Sequence, residues 1–218
     1  VSLGASADTV AIIGTGNVAS ALGPEFAQQG HDIIYGSRDP DRAEVAELVT
    51  GTGGNAFATG QAEAVVQADI VVLAVPGGVA QEVAASLGDL SGKIIIDPTN
   101  QVAPGDDGFM SHPSATSNAE DIQATFPDAR VVKAFNTLNF RTMIDPETSG
   151  GPVTIPLAGN DPDAKATVAA LVKGMGLESI DVGSVRSAHV LEGMLIIWLN
   201  ARRAGTPYDY YLRRQPAQ

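Results

Sequence analysis

Val10-Ala-Ile-Ile13 runs straight into Gly14-Thr-Gly16-Asn-Val-Ala19, and a second apolar run, Ile33-Ile-Tyr35, ends in Gly36-Ser37-Arg38. The order is strand, glycine turn, helix, strand, which is the arrangement that cradles a dinucleotide pyrophosphate. Gly14 permits the tight turn. Gly16 lets the backbone approach the phosphates, and Ala19 lets the helix pack close to the strand. Thr15, Asn17 and Val18 complete the turn. An anion seated there meets the free N–H groups and positive dipole end of a helix. The plain alternative is a glycine turn that binds nothing.

The end of the second strand bears on the dinucleotide. An NAD site usually carries Asp or Glu there, bonded to ribose hydroxyls. This chain has Ser37 and Arg38 instead. Arg38 offers a planar cationic fork suited to phosphate, and Ser37 a hydroxyl donor, so NADP(H) is expected. A surface Arg38 paired with Asp39 or Asp41 is the competing reading. Asp39-Pro40 reads as an N-cap followed by proline at the first helical position, opening a helix to about residue 49.

The chain has 218 residues and is 44% hydrophobic, enough for a sizeable core. Its formal net charge of −12 argues against nonspecific nucleic-acid or anionic-membrane binding and makes each basic residue more telling. With no cysteine, disulfides and thiolate chemistry are excluded. His31, His112 and His189 show no metal-ligand spacing. Residues 1–8 read as a disordered or appended tail without signal-peptide character, and the apolar run 194–199 is too short to span a bilayer. A cytoplasmic location is expected.

Strands and helices alternate almost to the C-terminus, which predicts an α/β, Rossmann-type, mostly parallel doubly wound sheet, with C-terminal helices completing a single domain over 9–218. Val18, Leu22 and Phe26 give the first helix a buried stripe, with a kink predicted near Gly23-Pro24. The run 69–75 does not alternate and reads as a central strand buried on both faces. Strands are also expected at 56–57, 93–97, 130–135, 153–157 and 177–182, and helices at 61–67, 79–86, 117–126, 162–173 and 187–204. Residues 98–116 read as a long polar loop.

Ligands of open parallel sheets sit beyond the carboxyl ends of the strands. Ala74, Val75 and Pro76, with Val79 just after, are expected against the nicotinamide, although Pro76 could simply stop a strand. Asn136 and the backbone of Ala134 are placed to bond a carboxamide or heterocycle. Three residues are candidates for catalysis: Lys133, Asn136 and His189. Lys133 is either a proton donor to a carbonyl or imine or a partnered surface lysine. His189 either reaches the cleft or only packs. Asp97-Pro98 most simply shapes a turn. Trp198 and Tyr208 to Tyr211 read as core or dimer packing, with stacking on a flavin-like ring as the other possibility.

Taken together, Gly14-Thr-Gly-Asn-Val18, Gly36-Ser-Arg38, Leu73-Ala-Val-Pro76, Asp97-Pro-Thr-Asn100 and Val131-Val-Lys-Ala-Phe-Asn-Thr137 resemble the coenzyme F420-dependent NADP oxidoreductase family. The ferric-reductase domain of membrane metalloreductases looks like a relative. The resemblance implies hydride transfer between NADPH and a deazaflavin, with Thr15, Ser37 and Arg38 on NADP and Val75, Pro76 and Ala134 at the meeting point. It also implies a homodimer formed through the C-terminal helices. This chain departs from the archaeal pattern at Phe135-Asn136, where those members carry histidine, and in the loop 102–116. The expected acceptor is therefore F420 or a flavin such as FMN or FAD. The alternatives are a small carbonyl or imine substrate, or an NADP(H)-sensing module without turnover.

Overall fold

The computed structural model describes residues 7–151, 153–206 and 210–215. The expected tail over residues 1–6 and the expected role of Tyr208 lie outside the described residues. Asp8, assigned to that tail, is tied down: its N–H donates to His31 Nδ1 at 3.1 Å, and its carbonyl accepts from Asp32 N at 3.1 Å.

The chain begins with β1 (Thr9–Ile13), α1 (Asn17–Gln28), β2 (Asp32–Ser37), α2 (Ala43–Thr52), β3 (Phe57–Gly60), α3 (Gln61–Val66) and β4 (Ile70–Val72). It continues through α4 (Ala80–Ser86), β5 (Ile94–Asp97), β6 (Ala103–Pro104), β7 (Met110–Ser111), α5 (Asn118–Thr125) and β8 (Arg130–Lys133). The last elements are α6 (Phe140–Ile144), β9 (Thr154–Gly159), α7 (Pro162–Gly174), β10 (Glu178–Asp181) and α8 (Ser187–Arg203).

Eight strands form one sheet in the order β10-β9-β8-β5-β4-β1-β2-β3. All neighbours are parallel except β8 and β9. The fold is α/β, Rossmann-type and doubly wound, as the alternation of elements predicts. Alternate residues of the central strands face opposite layers. Val10, Ile12, Ile33, Tyr35, Ile70, Val72, Ile94 and Ile96 join one buried cluster, while Ala11, Ile13, Ile34, Val71, Leu73 and Ile95 join the other. Burial on both faces is why these strands read as unbroken apolar runs. The stripe of α1 is as expected, with Leu22 and Phe26 fully buried and Val18 packed against the same cluster.

β1 sits between β2 and β4, so the chain leaves its two sides in opposite directions. That switch point opens a crevice between the loops after β1 and β4, and places the site there.

Several expectations need correction. Helix α2 starts at Ala43, after an uncapping Arg42, and not at Asp39-Pro40. The Ser37 hydroxyl donates to Asp39 O at 2.9 Å and accepts from Asp39 N at 3.1 Å, closing a turn that spends these residues before the helix begins. The strand read over 69–75 pairs only across Ile70–Val72. The loop 98–116 carries the β6–β7 hairpin, and α6 was not anticipated. Helix α1, with the expected kink site at Gly23-Pro24, runs through Pro24 to Gln28. Gly23 is required there because a Cβ would overlap the Tyr35 hydroxyl, which bonds Thr52 Oγ1 at 2.6 Å. The Ser117–Glu120 capping box forms in both directions, and Asp161 caps α7 through Ala164 N at 2.6 Å.

Candidate active site

The crevice is a cleft of ≈ 850 Å³. Gly14, Thr15 and Gly16 line one wall, and Ala74, Val75, Pro76 and Val79 line the opposite one. Gly14 has φ 113°, and a Cβ there would overlap the Ala74 carbonyl oxygen, so the two walls meet only over a glycine. Gly16 is the N-cap of α1 and faces open space: no atom lies within 4 Å of where its Cβ would be. No side chain caps α1, and its first turn carries no acid, so its leading N–H groups lack an acceptor from the usual capping side chains.

Ser37, Arg38, Asp39 and Arg42 line the far end of the cleft. Arg38 is exposed, and among the described residues no carboxylate lies within ion-pair distance of it. Pairing with Asp39 or Asp41 is therefore not what holds it. Arg42 was missed by sequence reasoning because the expected helix start placed it inside α2. The signal was its spacing of four from Arg38.

A second, smaller cavity of ≈ 150 Å³ lies at the carboxyl end of β8. Asn136, Thr137, Leu138 and Asn139 form one side, Leu195 and Trp198 of α8 another, and Tyr210 and Tyr211 of the tail a third. Phe135 turns the chain out of β8 with φ 65°, a conformation costing a bulky residue about 1–3 kcal/mol. Burial holds it there: it is 1% exposed, with its ring 6.3 Å from that of Phe26. Asn136 Nδ2 donates to Asn100 Oδ1 at 3.0 Å, and Asn100 Nδ2 returns a longer bond of 3.4 Å to the Asn136 carbonyl. This pairing fixes which end of each amide is which and leaves Asn136 Oδ1 buried without a hydrogen-bond partner among the described residues.

Between the cavities stands a buried ionic group. Lys133 is not at the surface: it is fully buried, as are Asp97 and Glu192. Its Nζ donates to Asp97 Oδ2 at 2.9 Å, to Glu192 Oε1 at 2.6 Å and to the Thr99 carbonyl. All three ammonium hydrogens are thereby used. Asp97 Oδ1 also accepts from Thr99 N at 2.8 Å and Thr99 Oγ1 at 2.6 Å, so it does more than shape a turn. Glu192 Oε2 accepts from Gln101 N at 3.0 Å. Burial pushes the Glu192 carboxyl above its ordinary range, and the Lys133 charge opposes the shift. Glu192 was missed, though a lone acid inside the apolar run 188–199 was a legible signal.

His189 stacks on His112 with ring centroids 3.9 Å apart. Farther along α8, Asn200 clamps Met110, accepting from its N–H at 2.7 Å and donating to its carbonyl at 2.9 Å. The β6–β7 hairpin is thus strapped to α8. Burial, and then the neighbouring His189, hold the His112 pKa below its ordinary 6.5. A depressed folded value means stability present above 6.5 and lost as the pH falls through the folded pKa. The protection factor of the Met110 amide against hydrogen exchange should therefore fall below pH 6.5 in the native protein. A His112→Gln variant should show a flatter pH response, and an identical one would remove His112 as the cause.

The model of the family described as "NADP oxidoreductase coenzyme F420-dependent" matches residues 9–101. An F420-dependent NADP reductase of Methanothermobacter marburgensis is 27% identical over 204 residues, covering 86% of this chain and 88% of its own. The crystal structure of a candidate F420-dependent NADP-reductase from Arthrobacter sp. FB24 superposes with a TM-score of 0.84 at 29% identity, covering 95% of this chain and 100% of that one. Residues 9–101 thus match the coenzyme F420-dependent NADP oxidoreductase family, and the chain resembles F420-dependent NADP reductases over most of its length. The metalloreductase STEAP3 of Rattus norvegicus is 31% identical over 189 residues, covering 86% of this chain. The chain spans only about a third (36%) of that protein's length. No helix among the described residues is long and apolar enough to cross a membrane.

The residues present fit an NADP(H) dinucleotide. The uncapped α1 terminus and the open space over Gly16 suit a pyrophosphate. Two guanidinium groups, Arg38 and Arg42, stand at the end of the cleft where an extra phosphate would lie. Of the expected cofactor residues, Asn17, Val18 and Ala134 do not line the cleft: Asn17 points its carbonyl at Ser20 Oγ, Val18 packs on the core, and Ala134 is fully buried. Of the candidate catalytic residues, only Asn136 lines a cavity; Lys133 and His189 line neither.

Proposed function

We propose that this chain binds NADP(H) in the large cleft and serves hydride exchange with a deazaflavin (F420) or flavin-type ring at the small cavity. When bound, NADPH supplies the hydride. The turn Gly14–Thr15–Gly16 and the α1 amides hold the pyrophosphate, and Arg38 and Arg42 hold the phosphate on the adenosine ribose. In this reading Ala74, Val75, Pro76 and Val79 back the nicotinamide, and Asn136 bonds the edge of the second ring. Val190 and Ile197, 72% and 57% exposed on α8, are where a second subunit would pack.

One observation carries the reading. The small cavity, where the second ring would lie, offers amides, apolar groups and aromatics, but no Lys, His, Asp or Glu among its described lining residues; Glu82 of α4 does line the large cleft. Hydride exchange between rings needs proximity and alignment, whereas carbonyl or imine reduction needs a proton donor. Lys133, with its three hydrogens engaged, and the stacked His189 are poorly placed for that role.

The test is NADPH oxidation by the purified protein, followed at the nicotinamide absorbance with F420, FMN, FAD or no acceptor. Turnover with F420 or a flavin is the expected result. NADPH binding with turnover only on carbonyls or imines would replace this reading. Binding without turnover on any acceptor would make the protein a sensor.

A further inference from the structure

The turn 97–101 is anchored at Asp97, Thr99, Asn100 and Gln101. Asp97 and the Thr99 carbonyl are bound by Lys133, and the Gln101 N–H is bound by Glu192. Asn100 lies between two of these anchors, and its amide pairs with Asn136. On its other side the turn meets the large cleft. A Cβ on Gly77 would overlap the Asn100 carbonyl oxygen, so Gly77 permits that approach. The buried Asn118 ties the same two segments together, its Nδ2 donating to Gly77 O at 2.8 Å and to Thr99 Oγ1 at 2.9 Å. Gly77 follows directly on Pro76, which lines the cleft, while Asn136 lines the small cavity. One rigid turn therefore spans from one cavity to the other.

We propose that Glu192 and Lys133 are positioning residues that hold the turn 97–101 as a fixed partition, setting the distance and angle between the dinucleotide cleft and the small cavity. This rests on the hydride-exchange reading. Neither residue touches either ligand site; both act through Asn100 and Asn136. The physical need is tight tolerance, because a misplacement of about 1 Å can cost roughly 10²-fold in rate. A buried ion group is a poor source of net stability but a good source of fixed geometry, since its charges have no alternative partners in the core.

The experiment compares the wild-type protein with Glu192→Gln and Asn100→Ala. Glutamine keeps the volume but has a single acceptor oxygen, so it cannot accept from Lys133 Nζ and from Gln101 N on separate atoms as the carboxylate does, and its NH2 meets one of those donors instead. Asn100→Ala lies outside the ionic group, so it remains informative should Glu192→Gln fail to fold. The side-chain amide of Asn136 is followed by ¹⁵N NMR, together with NADPH affinity and acceptor turnover. In both variants the Asn136 amide should lose its distinct shift and about tenfold of its protection from solvent exchange. NADPH affinity should stay within about twofold while kcat falls roughly 10²-fold. An unchanged Asn136 signal in either folded variant overturns the proposal, as does an unchanged kcat with an active acceptor. If the wild-type protein turns over no acceptor, the hydride reading falls, and the NMR comparison still decides whether the partition is held from Glu192.

Discussion

Lys133→Met should lower the unfolding free energy by about 3–5 kcal/mol, read as a reduced urea midpoint at unchanged slope. The substitution nearly conserves volume, so the loss is electrostatic. It strands Asp97 and Glu192, both fully buried, without their cation, and it removes the donor to the Thr99 carbonyl. The double variant Lys133→Met with Glu192→Met should recover a large part of the loss, because replacing a buried pair by apolar residues is often neutral. A single-variant loss below about 1 kcal/mol would mean that water reaches the group and that its charges are solvated. Low pH should distinguish the two chains as well. Because the Glu192 carboxyl titrates above its ordinary range in the folded state, its contribution is most favourable below 4.5 and is lost as the pH rises through the folded value. Lys133→Met removes the cation that opposes that shift, so its deficit should widen toward neutral pH and narrow on acidification.

Arg38→Ala should weaken NADPH binding by roughly 10- to 100-fold, the worth of a charge-assisted phosphate contact, while NADH affinity changes by about twofold or less. Titration calorimetry with both cofactors gives the comparison. The reasoning is that Arg38 is exposed, lines the cleft and has no carboxylate partner among the described residues, so its removal costs the fold almost nothing. Equal loss for both cofactors would falsify the phosphate assignment. Arg42→Ala should act in the same direction with a smaller effect, because Arg42 also forms the entry to α2.

The nucleotide half of the fold was legible because local sequence sets it. Apolar runs of β-branched residues make strands wherever they are buried on both faces, and the turn at Gly14 admits no other residue. The caps at Ser117 and Asp161 are likewise set by residues only three apart in the chain. What was misread depended on partners far away in sequence. Lys133 looked like a surface lysine or an acid because nothing near it announces Asp97, 36 residues earlier, or Glu192, 59 residues later. His189 was considered for the cleft because its packing against His112 belongs to a hairpin that the loop's prolines and glycines concealed. Asp39-Pro40 carried a true helix-start pattern, but Ser37 used the backbone of Asp39 first. The small cavity was invisible for the same reason, since three separated segments build its walls.

The separation of Lys133 from Glu192 also has a consequence in time. Synthesis delivers Asp97 and then Lys133 well before the last helix, and domains consolidate from the N-terminus as they emerge. The parallel strands from β1 to β8 can assemble while the lysine has only one of its two carboxylates. The second arrives with α8, across the longest of these loop closures. The large crevice is therefore available early in the birth of the molecule, while the wall that α8 gives the small cavity comes later.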